Sequence, residues 1–278
     1  MKLNDRTRRI IDRVFINMPI RLINDKYLRL IEKHRINLEI GLDYYSLDNY
    51  SYSYIRTLAE QLKKFGTIMT VHAPFNEIFL GAPDRLIREA SLSRMDEAFE
   101  LAQYFSPQSI VMHLNFEMRR FGFIYDEWFA NIIPNLKVYA ERCREIGAIL
   151  AIENVYEETP DAMISIMNNL EEYPVCHCMD VGHVNAFSSV GIPDWIEKTE
   201  SFICQFHLHD NNGYEDTHAP IGHGNIDYSV IVEVVSKMKR PSIITLEPHS
   251  QEDLWRTLKG FEQIGLDQLL NPLKQIFK

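Results

Sequence analysis

Apolar and β-branched residues gather along this chain in eight short, nearly continuous runs. They are Arg13–Ile20, Ile36–Asp43, Thr67–Pro74, Ser109–Asn115, Ala148–Val155, Val175–His183, Phe202–Asp210 and Ser242–His249. Short runs that do not alternate with polar residues predict parallel strands covered on both faces. Between them the spacing turns helical, as in Arg85–Phe105, where Leu86, Ala90, Met95, Ala98, Phe99 and Ala102 approximate one face. Further helices are predicted over Trp128–Glu145, Pro160–Glu172, Pro193–Glu200 and Tyr228–Lys239. Pro160-Asp161 and Pro193-Asp194 put proline and an acid in a first helical turn, which suits a helix start. Strands separated by crossover helices predict an α/β fold, a single-domain (β/α)8 TIM barrel over residues 1–278. The competing doubly wound sheet lacks support, because no G-x-G-x-x-G follows the first run.

Composition narrows the class. The 278 residues are 46% hydrophobic and 24% charged, which excludes a disordered or fibrous chain. Net charge is −10, but residues 1–35 carry +6 and the remainder −16. The basic segment is read as a solvated helical face, and the acidic bulk weighs against a nucleic-acid partner. Cys143, Cys176, Cys178 and Cys204 lack C-x-x-C spacing and argue against a disulfide framework. No apolar run reaches membrane-spanning length and the N-terminus lacks a secretory core, so a cytoplasmic protein without a membrane partner is expected. The tyrosine-rich stretch Asp43–Tyr54 is expected to form a loop and helix entry on the upper rim, packing there or stacking on a ligand.

Barrel chemistry collects at the C-terminal ends of the strands. Here His72, His113, Glu153 and Asp180 end the third to sixth runs, with His183 three residues on. His207 lies in the seventh run, and Glu247 ends the eighth. Any one of these polar groups alone reads as a satisfied core residue. Six of eight apolar runs ending in His, Asp or Glu is instead the convergence that a divalent metal requires. After the seventh run, Asp216-Thr217-His218 places two ligand-competent side chains on one side of an extended segment, ahead of the glycine-framed turn Gly222–Asp227.

Taken together, VHAPF (Val71–Phe75), VMH (Val111–His113), AIEN (Ala151–Asn154), MDVGH (Met179–His183), FHLHDNNG (Phe206–Gly213), DTH (Asp216–His218), GHGNID (Gly222–Asp227) and LEP (Leu246–Pro248) resemble the xylose isomerase-like TIM-barrel superfamily. That superfamily includes sugar and sugar-phosphate isomerases and epimerases, and also endonuclease IV-type enzymes that act at abasic sites. The motifs cover about two thirds of the chain in the family's order. For the isomerase and epimerase branch, the resemblance implies one metal held by Glu153, Asp180, His207 and Glu247, with both glutamates able to exchange protons with carbon. For the endonuclease branch it adds His72, His113, His183, Asp216 and His218, which together hold three zinc ions. His209 stands where relatives generally show Asn, and His223 where they show Glu. His207 and His209 share strand parity, so the choice between them rests on the resemblance. His177 has the opposite parity to Asp180 and is expected to pack towards the helices, whereas Cys176 and Cys178 are expected to fill the barrel interior.

Two mechanisms compete for these residues. In the first, a metal-dependent isomerase or epimerase uses Glu153 and Glu247 to move a proton beside a polarised carbonyl of a sugar or sugar phosphate, with His183 stabilising a hydroxyl. In the alternative, three zinc ions, the upper end of an expected range of one to three ions, serve a phosphodiesterase acting on DNA, with Arg85, Arg119 and Arg120 on the rim as candidate phosphate contacts. A merely structural metal would need four ligands rather than nine. Histidine-rich ligation favours Zn²⁺ or Mn²⁺ over Mg²⁺. The sequence is silent on oligomeric state.

Overall fold

Every one of the eight runs contains a strand, and each strand is shorter than its run. They are β1 (Phe15–Pro19), β2 (Asn37–Gly41), β3 (Met69–His72), β4 (Ser109–His113), β5 (Ile149–Glu153), β6 (Val175–Asp180), β7 (Ile203–Leu208) and β8 (Ile243–Leu246). All neighbours pair in parallel, and β8 returns to β1 through Phe15↔Thr245 and Ile16↔Leu246, closing the barrel. The computed structural model describes residues 4–238, 242–268 and 270. The five anticipated helices appear as Arg85–Ala102, Tyr125–Ile146, Asp161–Asn169, Ile192–Thr199 and Ser229–Lys237. The anticipated end of the last, Lys239, lies outside the described residues.

The strands are buried on both faces because their outward residues (Leu38, Ile40, Ile110, Met112, Leu150, Ile152, Phe206, Leu208) pack under the helices in the main hydrophobic core. The inward residues form layers. Phe15 and Ile243 make an apolar cluster, and Val111, Ala151, Cys176 and Cys178 form another. Between strands sits a polar cross-brace centred on the fully buried Glu39 carboxylate. It accepts from Thr70 Oγ1 at 3.0 Å, Gln205 Nε2 at 2.8 Å, Thr245 Oγ1 at 3.1 Å and Asn17 Nδ2 at 3.1 Å. A buried carboxylate is tolerable only with such a full set of partners.

Three local expectations are corrected. The sixth run does not stay extended to His183: the Asp180 carboxylate accepts from the His183 backbone N–H at 2.7 Å and starts a helix, Val181–Phe187. Glu247 stands one residue beyond β8. Cys176 and Cys204 are joined by a disulfide, although their spacing gives no sign of it. Their strands are neighbours, and the ladder shifts from His177↔Ile203 to Cys178↔Gln205. Cys204 is the extra residue of that bulge, which turns it towards Cys176. The tyrosine-rich stretch forms two helices, Tyr44–Asn49 and the start of Tyr52–Lys64, capped by Asp43 and Ser51. Tyr50 and Tyr54 stack on each other at 4.8 Å, so the segment packs against itself.

Candidate metal centre

Glu153, at the end of β5, is the hub of the barrel mouth. Its Oε2 lies 3.2 Å from His72 Nε2, from His113 Nε2 and from His207 Nδ1, and its Oε1 lies 3.2 Å from His183 Nδ1. Strand register explains the convergence. His113 and Glu153 are paired across β4 and β5, and Asp180 and His207 across β6 and β7. The ring of His72 is oriented from behind, its Nδ1–H donating to Ala73 O at 2.8 Å so that Nε2 faces inward.

On the β8 side, Glu247 Oε1 lies 3.1 Å from His207 Nδ1. The far nitrogen of that ring, Nε2, lies 3.1 Å from Glu39 Oε1. Above them the loop after β7 delivers Asp216 and His218, whose Oδ2 and Nε2 are 3.1 Å apart. Asp216 Oδ2 also lies 3.2 Å from His183 Nε2. This loop is held by the buried Asp210 carboxylate, which accepts from the backbone of Asn211, Gly222 and Ile226 at 3.0, 2.9 and 3.2 Å. His218 has φ 47°, a left-handed conformation uncommon for a residue with a side chain.

All nine side chains singled out in the sequence (His72, His113, Glu153, Asp180, His183, His207, Asp216, His218 and Glu247) therefore meet at one mouth. They fall into overlapping groups whose ligand atoms lie within 4.8 Å of one another. Side chains shared between groups, Glu153 above all, are what a site for more than one ion needs. The donor set fits a divalent cation on the protein's own terms. His207 Nδ1, Asp216 Oδ1, His218 Nδ1 and Glu247 Oε2 are buried without a hydrogen-bond partner. Leaving such atoms orphaned costs on the order of 1–3 kcal/mol each unless something binds them.

The electrostatics carry the same demand. Burial pushes the Glu153 carboxyl up, but His207 and His113 pull it well below the ordinary range. Burial likewise opposes ionisation of Glu247, and His207 overrides it, again to well below the ordinary value. Burial pushes the His183 and His207 imidazoles down, yet the surrounding carboxylates hold both well above their usual range. The carboxylates require positive charge among them, from protons or from a metal.

Glu39 was missed at the level of sequence, where His209 and His223 were left open. His209 is in the cluster, with Nε2 3.1 Å from Asp180 Oδ1. His223 is exposed. His177 packs outward as anticipated, its Nε2–H donating to Asn154 Oδ1 at 3.0 Å beside Trp195. Two of the three rim arginines are engaged by acids, Arg119 with Glu158 at 2.6 Å and Arg85 with Glu89 at 2.7 Å, while Arg120 lies over the Phe121 ring at 4.9 Å. The cluster opens into a cavity of about 560 Å³. Glu247, His183 and His218 line its polar side, and Ile16, Met18, Leu30 and Trp255 its apolar side. Among the described residues no helix is long and apolar enough to cross a membrane.

The family model for the xylose isomerase-like TIM barrel matches residues 35–262. The chain is 25% identical over 209 residues to the uncharacterized protein MJ1311 of Methanocaldococcus jannaschii, covering 72% of this chain and 70% of that one. Among solved structures it resembles a D-tagatose 3-epimerase-like protein, with TM-score 0.76 and 20% identity over 90% of this chain and 97% of the other. It also resembles the TTHB071 protein of Thermus thermophilus, soaked with ZnCl₂, with TM-score 0.72 and 20% identity over the same shares. At these identities the structural likeness establishes the fold.

Proposed function

The chain belongs to the xylose isomerase-like TIM barrel family, and from that premise we propose that it is a divalent-metal-dependent isomerase or epimerase of a small sugar or sugar phosphate in the cytoplasm. The observation that carries this reading is the meeting of Glu247 and Glu153 at Nδ1 of His207, at 3.1 and 3.2 Å, with Asp180 in one ligand group with Glu153. One to three ions of the zinc or manganese class, held by the nine clustered residues, would polarise a substrate carbonyl and acidify the neighbouring C–H.

The two glutamates have unequal parts. Glu153 is committed through both oxygens to His72, His113, His183 and His207, so it chiefly holds metal. Glu247 has Oε1 near Asn17 Nδ2 at 3.4 Å and Oε2 free of hydrogen bonds. Glu247 Oε2 is the base that takes the proton from carbon. Glu153, the second carboxylate, would return to carbon a proton that it first takes up from solvent when the product is an epimer. His183 lines the cavity and is the contact for a substrate hydroxyl. The test is a panel of ketoses and ketose phosphates in deuterated water with Zn²⁺ or Mn²⁺. Deuterium should appear at the carbon beside the carbonyl and be lost in Glu247→Gln. No uptake across metals and substrates contradicts the reading.

A second reading, an endonuclease IV-like zinc phosphodiesterase acting on DNA at abasic sites, draws support from one observation. His72, His113 and Glu153 form one ligand group, and His183, Asp216 and His218 belong to another. The pairing of Arg119 and Arg85 with acids counts against a phosphate track along the rim. Incision of an abasic duplex at low salt with zinc supplied would establish this alternative, and its failure would dispose of it.

A further inference from the structure

The barrel mouth is left open on its β1 side. Asn17, Met18 and Pro19 of that strand are half-buried, whereas no other strand has more than one residue that is not buried. The cavity of about 560 Å³ at the metal-competent residues extends past this strand end into a cleft between two helices, Asp25–His34 and Gln251–Ile264. We propose that the substrate is a sugar bearing an apolar arm, with its polar end held at Glu247 and His218 and its arm lying in this cleft. The inference rests on the barrel mouth being the metal-dependent sugar site; it adds the substrate class.

Strand parity explains how one cavity presents two chemistries. Asn17 points into the barrel, where its Nδ2 donates to Glu39 Oε1 at 3.1 Å. Ile16 and Met18 therefore point outward, towards the helices, and pack with the main core. In the cleft they share the lining with Leu30 and Ile31 of the first helix and Leu254 and Trp255 of the second. Ile36, just before β2, carries the lining to the foot of the barrel. The cleft thus runs about the length of a five-residue strand, roughly 16 Å. Leu30, Leu254 and Trp255 are only half-buried, so an arm that covers them removes apolar surface from water.

A phosphate arm suits this space poorly. Among the described residues that line the cavity, Arg21 is the one Lys or Arg, and Asp43 engages it at 2.7 Å. The lining carboxylates Glu153, Asp216 and Glu247 all belong to the metal-competent groups at the polar end. The volume agrees, since cavities of about 300–1,000 Å³ take drug-sized ligands, which are larger than a bare ketose.

The experiment titrates n-alkyl hydroxamates into the full chain loaded with Zn²⁺, read by calorimetry. The hydroxamate head chelates a zinc-class ion through two oxygens, as a ketose carbonyl and its neighbouring hydroxyl would, and the alkyl group reports on the cleft. From acetohydroxamate to octanohydroxamate, affinity should rise about two- to fourfold per added methylene. Leu30→Trp, which fills the cleft, should lose most of that gain. Leu254→Trp serves the same purpose from the opposite wall if the first variant does not fold. A flat series in the wild type, or a full gain that survives the filling substitution, overturns the proposal. If acetohydroxamate itself does not bind, the metal-centre reading falls and takes this inference with it. If it binds and longer chains gain nothing, only the apolar arm is wrong. Neither result depends on whether any ketose exchanges deuterium.

Discussion

Glu39 Oε1 lies 3.1 Å from His207 Nε2, both groups being fully buried. A carboxylate there keeps a proton on Nε2, so that Nδ1, which faces Glu153 and Glu247, is the nitrogen that sheds its proton when a cation binds. Burial pushes the Glu39 carboxyl up, and the charge and hydrogen bond of His207 bring it back below its ordinary value. Glu39→Gln should weaken metal binding by about 10–100-fold, the usual cost of losing such a support. Competition with a chelator measures it, and unchanged affinity contradicts the role.

Metal uptake should release protons. Burial pushes the His218 imidazole down, but Asp216 and Glu247 raise it to about 9. The metal-free chain thus carries a proton on His218 at neutral pH, which a ligand must shed. Apparent affinity should rise with pH from neutral through about 9. Calorimetry in two buffers of different ionisation enthalpy reads the proton count, and buffer-independent heats would contradict the prediction.

Asp210 should act through the loop it holds. Losing the carboxylate that serves Asn211, Gly222 and Ile226 costs about 1–3 kcal/mol per orphaned buried N–H. Asp210→Ala should lower the melting temperature and release the ion nearest Asp216 and His218 before the others. Equal retention of all ions would show the loop to be held by other contacts.

His177 should limit acid stability. Burial pushes its imidazole down to about 3, against about 6.5 in the unfolded chain. Its contribution is present above about pH 6.5 and is lost as pH falls towards 3, because the unfolded chain takes a proton the folded one refuses. Between about pH 7 and 5 the loss is about 2 kcal/mol. His177→Gln should flatten that part of the profile in urea unfolding. Parallel profiles for the two proteins would contradict the assignment.

The barrel and the nine clustered positions were legible because each signal is local. An apolar run of strand length ends in a residue that a dry core rejects, and in a barrel all such ends share one mouth. Glu39 was not legible for the opposite reason. It sits in the middle of its run, and its toleration depends on Thr70, Gln205 and Thr245 from three other strands. Parity did put it on the inward side with Asn37 and Gly41, a usable sign. His207 and His209 could not be separated by parity, because both enter the cluster. The Cys176–Cys204 link was hidden by a bulge that no residue pattern announces. Helix entry at Val181 depends on the Asp180 cap, which D-V-G-H could have suggested.

Cations shared among the imidazoles and carboxylates of the barrel mouth are the central claim. Elemental analysis of the purified chain, repeated on Glu153→Gln, tests it most directly. Zinc or manganese should be present at one to three ions per chain and should fall in the variant, which loses the carboxylate charge that His72, His113 and His207 share. A wild-type chain that holds no divalent metal and takes up none from zinc or manganese solutions would contradict it.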